Sequence, residues 1–193
     1  MGLPFRFRQL PSLPEIIVIE PETLADERGW FFESYKKSEF EKHGIPFEFK
    51  QDNHSRSTAK GTLRGLHFQK RPAAQAKLVR CVVGEIFDVA VDIRKSSPTY
   101  SRWVSATLSS EDHLMMWIPA GFAHGFQATT YMAEVEYKVT AEYNGAQDRA
   151  IRWNDPAIGI EWPISGPVLS EKDAAAPLLK DVDNDFVWQE PVD

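Results

Sequence analysis

Between Lys77 and Thr140 the chain is a succession of short β-branched and aromatic runs separated by turn residues. Strands this short, at this spacing, build an all-β sandwich, jelly roll or barrel. The expected strands are 77–83, 85–94, 103–108, 114–119, 126–129 and 133–140. Gly84 between the first two reads as a hairpin-like turn. Residues 96–100 and 109–113 are polar turns, and 120–125 is a turn marked by glycine. Within 85–94, Ile86, Asp88, Ala90 and Asp92 share one face, while Phe87, Val89, Val91 and Ile93 share the other. Asp88 and Asp92 either line the interior or pair with Arg80 or Arg94.

The flanks add less regular pieces. Residues 14–20 form a β-branched strand closed by Pro21, and 29–35 an aromatic one. Residues 38–43 suit one or two helical turns, with Ser38 as cap, Glu41 three positions on and Gly44 as the stop. Residues 47–57 begin as a strand and turn polar. From about Asp148 to the C-terminus the chain is aromatic, proline-rich and irregular, a cover over the barrel. There 170–179 begins like a helix, with Ser170 as cap and Asp173 in its first turn. No repeat, low-complexity tract or linker interrupts residues 1–193, which read as one domain.

Charge and cysteine content narrow the setting. A net charge of -6 argues against non-specific binding to nucleic acid or anionic membrane. An anionic ligand must therefore be met by local arginines and lysines. Cys81 is alone and lies in an apolar run, which suits a core residue in a reducing compartment. No apolar run approaches the length of a membrane helix. The N-terminus carries Arg6 and Arg8 and lacks the apolar stretch of a secretory signal, and Arg6 stands where a myristoylation signal needs Ser or Thr. These features point to the cytoplasm.

Four places carry chemistry. In Gly61-Thr62-Leu63-Arg64-Gly65-Leu66-His67-Phe68-Gln69 a cation and an imidazole lie beside glycines in a strand-like segment. Strict alternation would separate Arg64 from His67, and a bulge at Gly65 would bring them to one face. The alternative is a plain strand with one satisfied histidine and one surface arginine. Lys77 opens the next strand. His124 lies in Pro119-Ala120-Gly121-Phe122-Ala123-His124-Gly125-Phe126. Tyr137 points with Val135 and Val139, away from Glu134, Glu136 and Lys138, into core or cavity. Each has a purely structural alternative: a surface lysine, a histidine bonded within its turn, a core tyrosine with a satisfied hydroxyl.

A metal is not expected. Pro119-x-Gly121-x-x-His124 resembles the second cupin motif. His67, however, is followed by Phe68 and Gln69 rather than by the second histidine of the first motif, and a bound metal typically needs three protein ligands. The remaining set suits proton transfer. An imidazole of pKa about 6.5 is a competent base near neutrality. Asp173 could orient it if the C-terminal segment folds back. A lysine can hold charge developing on an oxygen, and a tyrosine can deliver a proton from another side. Together these describe epimerisation at carbon beside a ketone.

At these residues the sequence resembles the dTDP-4-dehydrorhamnose 3,5-epimerase family of the cupin superfamily. The resemblance rests on Asp26-Glu27-Arg28-Gly29, Phe32-Glu33, Gln51-Asp52-Asn53, Arg64-Gly65-Leu66-His67, the run from Gly84 to Asp92, Ser97-Pro98-Thr99, Gly121 to Phe126, Asn154-Asp155-Pro156 and Ser170-x-Lys172-Asp173. It implies a cupin-type jelly-roll β-barrel, dimeric, with N-terminal strands exchanged. It also implies a cofactor-independent enzyme acting on a dTDP-linked 4-keto-6-deoxyhexose at C3 and C5. By the same resemblance His67 is the base, paired with Asp173, Tyr137 the acid, and Lys77 the group that steadies the O4 enolate. Arg28, Glu33, Gln51, Asn53, Arg64, His124, Asp148 and Lys172 fall where the family contacts substrate or nucleotide, and Phe31 and Tyr143 are candidates for stacking on thymine. Two departures, Phe68 where tyrosine is common and Ala76 where glycine is common, leave open an enzyme that inverts only one centre. A cupin sugar-nucleotide 3,4-ketoisomerase and a non-enzymatic sugar-nucleotide binder are the other classes.

Overall fold

The structure, a computed structural model, describes residues 4–45 and 48–190. Phe47, the expected start of a strand, and the first residues of the N-terminus lie outside that range. Elements are numbered along the chain. One sheet has six strands in the order β1 (Phe5–Leu10), β2 (Leu13–Pro21), β10 (Met115–Ile118), β7 (Lys77–Val83), β12 (Ala133–Val139), β5 (Gln51–Ser57). The other has five, in the order β13 (Asp148–Ala150), β6 (Leu63–Gln69), β11 (Phe122–Ala128), β8 (Glu85–Asp92), β9 (Trp103–Ser109). A separate ribbon pairs β3 (Thr23–Asp26) with β4 (Gly29–Phe32), and the helices are α1 (Lys37–Lys42) and α2 (Glu171–Ala174). The two large sheets face each other as a jelly roll without closing into a continuous barrel. Among the described residues no helix is long and apolar enough to cross a membrane.

Both sheets bury apolar side chains on both faces. Leu13, Ile16, Val79, Ile86, Leu108, Met116, Phe126 and Val135 meet between them. Outside the five-stranded sheet, Leu66, Phe68, Val89, Val91 and Ile93 lie under Ile151, Ile158, Leu179, Val182 and Phe186 of the C-terminal segment. Outside the six-stranded sheet, Ile17, Ile19, Leu78, Met115 and Trp117 carry Phe40 and Ile45. Each such side chain contributes roughly 1.5–3 kcal/mol by leaving water. The C-terminal cover is therefore half of a core.

This arrangement explains β8. The side holding Asp88 and Asp92 shares its face with Ile86 and Ala90, which pack between the sheets, and the apolar side lies under the cover. Both aspartates are at 0% exposure. Of the alternatives left open, Asp92 takes Arg94, which donates Nε at 2.9 Å and Nη2 at 2.8 Å, and Ser97 and Thr99 add their hydroxyls. Asp88 pairs with neither Arg80 nor Arg94.

Several expectations need correction. Gly84 closes no hairpin, because β7 and β8 belong to different sheets. With φ +74° it turns a corner in one residue, too few for a two-residue hairpin turn, and Glu85 N then donates to Thr130 Oγ1 at 3.1 Å. The glycine-marked turn ends at Gly121 (φ +94°), so His124 and Gly125 are strand residues of β11 rather than turn residues. Ser38 does not cap α1: the cap position is Lys36, without a side-chain bond, and fully buried Phe40 anchors the helix against Phe5 and Phe7. The sequence reading gives no strand at 5–10, although Phe5 and Phe7 alternate there with Arg6 and Arg8, and none at 148–150. Both form, against β2 and β6. The helix expected over 170–179 lasts one turn. Ser170 Oγ accepts from Asp173 N at 3.1 Å as a cap should, but Pro177 disfavours continuation and Leu179 N goes to Asp155 Oδ2 at 2.6 Å.

The bulge in β6 forms. Arg64 sits opposite Phe126 and His67 opposite His124, so three steps along β6 face two along β11. Gly65 has φ +130°, and a Cβ built there would stand 2.5 Å from Gly125 Cα and 2.9 Å from the His124 carbonyl oxygen. Gly65→Ala should therefore lower the unfolding free energy by about 2–4 kcal/mol, from the collision and the left-handed φ together. Urea denaturation reads this, and a midpoint equal to that of the wild type contradicts the close approach.

Candidate active site

Because of that bulge, Arg64 and His67 line the same cavity, of about 380 Å³, between the two sheets. The six-stranded sheet brings Ser55, Lys77 and Tyr137 to it; β11 brings His124 and Phe126; and the C-terminal segment brings Ser170, Lys172 and Asp173. An adjoining hollow of about 230 Å³ adds Gln51, Asn53, Gln69, Gln75, Tyr143 and Asp148, and shares His67, Lys77, Tyr137 and Lys172. Strand β5 explains itself here. Its alternate residues Gln51, Asn53, Ser55 and Ser57 turn inward, so a strand without apolar side chains makes a polar wall.

His67 Nε2 lies 2.6 Å from Asp173 Oδ1. An ionised carboxylate only accepts, so Nε2 carries the proton and Nδ1 keeps the lone pair a base needs. Burial pushes the Asp173 carboxyl up, but the His67 hydrogen bond and charge, the bonds from Ser170 and the Gly65 N–H outweigh it and hold the group below its ordinary value. Lys77 is 9% exposed, and its Nζ donates to the His67 carbonyl at 3.4 Å. Burial pulls its ammonium down to about 8, with Asp148 and Asp88 working against that shift. Burial likewise raises the Tyr137 phenol, Arg64 partly opposing it.

His124 does not bond within a turn. Its Nε2 lies 2.7 Å from Asp88 Oδ1, and burial lowers the imidazole despite that carboxylate, helped by the nearby charges of Lys77 and His67. Asp88, which sequence reasoning leaves unassigned, is thus the partner of a cavity histidine, and its Oδ2 has no hydrogen-bond partner among the described residues. The signal was its place on the half-polar side of β8. His67 and His124 are opposite in register, yet each is held by its own carboxylate. Among the described residues no three His, Cys, Asp or Glu side chains are grouped to hold a metal ion.

The rim is a network. Lys172 Nζ donates to Asp148 Oδ2 at 2.5 Å, and Tyr143 Oη donates to the same oxygen at 3.3 Å. Gln51 Nε2 donates to Asn53 Oδ1 at 2.7 Å, and its Oε1 accepts from Tyr143 N at 2.8 Å. Arg64 donates Nε to Ser57 Oγ at 3.3 Å and Nη2 to the Arg56 carbonyl at 3.0 Å. Three residues expected at the site do not line it. Arg28 is at the tip of the β3–β4 ribbon, paired with Asp26; Phe31 is 62% exposed on β4; Glu33 follows the ribbon, 3.6 Å from Lys36. The family resemblance placed them at the site, but they sit on or next to a ribbon that is separate from both large sheets, and neither hollow is lined by them.

A jelly roll that holds such a proton-transfer set between its sheets falls in the class of cupin-type isomerases. The family model described as dTDP-4-dehydrorhamnose 3,5-epimerase matches residues 11–181, and the chain belongs to that family. A dTDP-4-dehydrorhamnose 3,5-epimerase of Salmonella typhimurium is 56% identical over 170 residues, 87% of this chain and 92% of the relative. The crystal structure of a dTDP-6-deoxy-D-glucose-3,5-epimerase from Legionella pneumophila, in complex with dTDP-4-keto-L-rhamnose, is 46% identical, with TM-score 0.89, covering 93% of this chain and 95% of that one. A 3'-monoepimerase from Streptomyces bikiniensis, in complex with dTDP-quinovose, is 31% identical, with TM-score 0.83 and coverage of 90% and 88%.

The Asp173 carboxyl sits below its ordinary value in the fold. It therefore contributes stability that is present above about pH 4 and is lost as pH falls through the depressed value. Asp173→Asn should be less stable than the wild type at neutral pH, with the gap closing on acidification. Urea midpoints across the acid range test this, and a gap that stays constant with pH contradicts it.

Proposed function

We propose that this enzyme inverts C3 and C5 of dTDP-4-dehydro-6-deoxy-D-glucose, without a cofactor, to give dTDP-4-dehydro-L-rhamnose for dTDP-L-rhamnose synthesis. The observation that carries the reading is the His67–Asp173 pair at 2.6 Å on one wall of a cavity whose other wall presents Tyr137 and Lys77. His67 Nδ1 takes the proton from the carbon beside the 4-keto group, and the C–H electron pair becomes an enolate with its charge on O4. The buried Lys77 ammonium balances that charge where little water competes. Asp173 stabilises the imidazolium. Tyr137 then delivers its proton to the opposite face of the same carbon, and Arg64 tempers the phenolate left behind. His67 has gained one proton and Tyr137 has lost one, so exchange with water resets the site and leaves solvent hydrogen in the product.

Around this centre Gln51, Asn53, Arg64, His124, Asp148 and Lys172 bind the substrate. Lys172 and Arg28 meet the diphosphate, which the acidic chain cannot attract by net charge. Tyr143, 63% exposed at the mouth, stacks on thymine. The protein works as a cytoplasmic homodimer of single-domain chains with exchanged N-terminal strands. In that dimer the ribbon that leaves its own cavity offers Arg28, Phe31 and Glu33 to the partner's.

In deuterated water, dTDP-4-dehydro-6-deoxy-D-glucose should acquire deuterium at both C3 and C5, read by NMR. Label at one carbon only makes the protein a single-site epimerase, a carbonyl moved to C3 makes it a ketoisomerase, and no exchange leaves a binding protein. Because Lys77 titrates near 8, its charged fraction falls through that region, and kcat/KM should fall with it on the alkaline side. Lys77→Arg keeps its charge and should move that limb upward; an unmoved limb assigns it to another group.

A further inference from the structure

Among the described residues the ribbon of β3 and β4 pairs with no strand outside itself, so something else must set its direction. Along β4, Trp30 and Phe32 share one side and Phe31 points to the other, beside its cross-strand partner Leu24. On the first side the two rings meet His113. The centroid distances are 4.3 Å from Trp30 and 4.7 Å from Phe32, the latter stacked at 24°, and the two ribbon rings lie 5.3 Å apart.

His113 is itself held in an uncommon conformation. It has φ +57°, in the left-handed region that a residue with a side chain enters at a cost. The turn around it is braced by one carboxylate. Asp112 Oδ1 accepts from Ser109 N at 3.1 Å and from Leu114 N at 2.9 Å, and Asp112 N donates to Ser109 Oγ at 3.1 Å. A braced turn thus sets one ring against one side of the ribbon, where Trp30 stays 60% exposed, and Phe31 and Leu24, 62% and 54% exposed, lie on the other.

We infer that His113 is a positioning residue: by stacking on Trp30 and Phe32 it fixes the angle at which the ribbon presents Phe31 and Arg28 to the nucleotide in the partner subunit. This rests on the exchanged homodimer proposed above. His113 touches no reacting atom, so its loss acts on binding of the nucleotide and leaves the chemical step alone. Glycine adopts the left-handed region without penalty, so His113→Gly removes the ring while keeping the turn, and His113→Phe keeps a ring.

The test measures KM and kcat for the sugar nucleotide and the Kd of dTDP by calorimetry, with dimer content checked by light scattering. For His113→Gly, KM and Kd should rise about threefold to tenfold at unchanged kcat and unchanged dimer, the range expected for lost ring contacts. His113→Phe should restore both. Trp30→Leu, which removes a ring from the ribbon side, should reproduce the effect and serves if His113→Gly fails to fold. Wild-type KM in both ring-deleted variants overturns the inference, as does a fall in kcat without a change in KM. Arg28→Ala separates the two levels. If it raises KM while the ring deletions do not, the stack alone is overturned; if it leaves KM unchanged, the exchanged ribbon is overturned and the stack's role with it.

Discussion

Where β6 passes β11, two glycines meet with no space for a side chain between them: a Cβ on Gly125 would stand 2.9 Å from the Arg64 carbonyl oxygen and 3.1 Å from Gly65 Cα. This approach lets β6 carry one more residue than its neighbour. The extra residue reverses the facing of everything before it, since side chains alternate with a period of two. Without it, Arg64 and His67 would lie on opposite sides of the sheet. With it, the guanidinium and the imidazole open into one cavity, and Leu66 and Phe68 still reach the core beneath the C-terminal cover. The rest of the site is built around that reversal.

Electrostatics do the remaining work by moving groups in different directions within one enclosure. Burial lowers the ammonium of Lys77 and the imidazole of His124 and raises the phenol of Tyr137, each shift favouring the uncharged form. Asp173 goes the other way, because His67, Ser170 and Gly65 supply partners that burial alone would not. The result is a phenol held neutral on one sheet and an imidazole bonded to a fixed carboxylate on the other, the separation that the proposed reaction uses. Such separated settings are what proton removal and return on opposite faces of one carbon require.

Much of this was legible in order along the chain. The strand-rich class, the inward direction of Tyr137 and the Ser170 cap follow from local alternation and turn chemistry, whereas the partner of Asp92 stayed open between Arg80 and Arg94. The bulge at Gly65 was one of two readings, since glycine permits a bulge without requiring it. The misreadings share a cause. A hairpin at Gly84, a turn around His124 and a capping box at Ser38 are each reasonable over five residues, and each was overruled by packing between distant segments. Arg28 and Phe31 lie on a ribbon, with Glu33 just after it, that is separate from the sheets enclosing the cavity their resemblance suggested, and nothing local sets its angle.

What the sequence determined by itself was the inventory: which residues alternate, where glycine and proline forbid continuation, and which side chains can trade protons. Those are properties of a residue and its near neighbours. Only the tertiary structure decided the pairings, His67 with Asp173 across 106 positions and His124 with Asp88 across 36, and which side of β8 faced inward. The physical reason is that burial and charge act through space. A lysine is pulled down to about 8, and a phenol pushed up, only when segments far apart in the chain remove the same water.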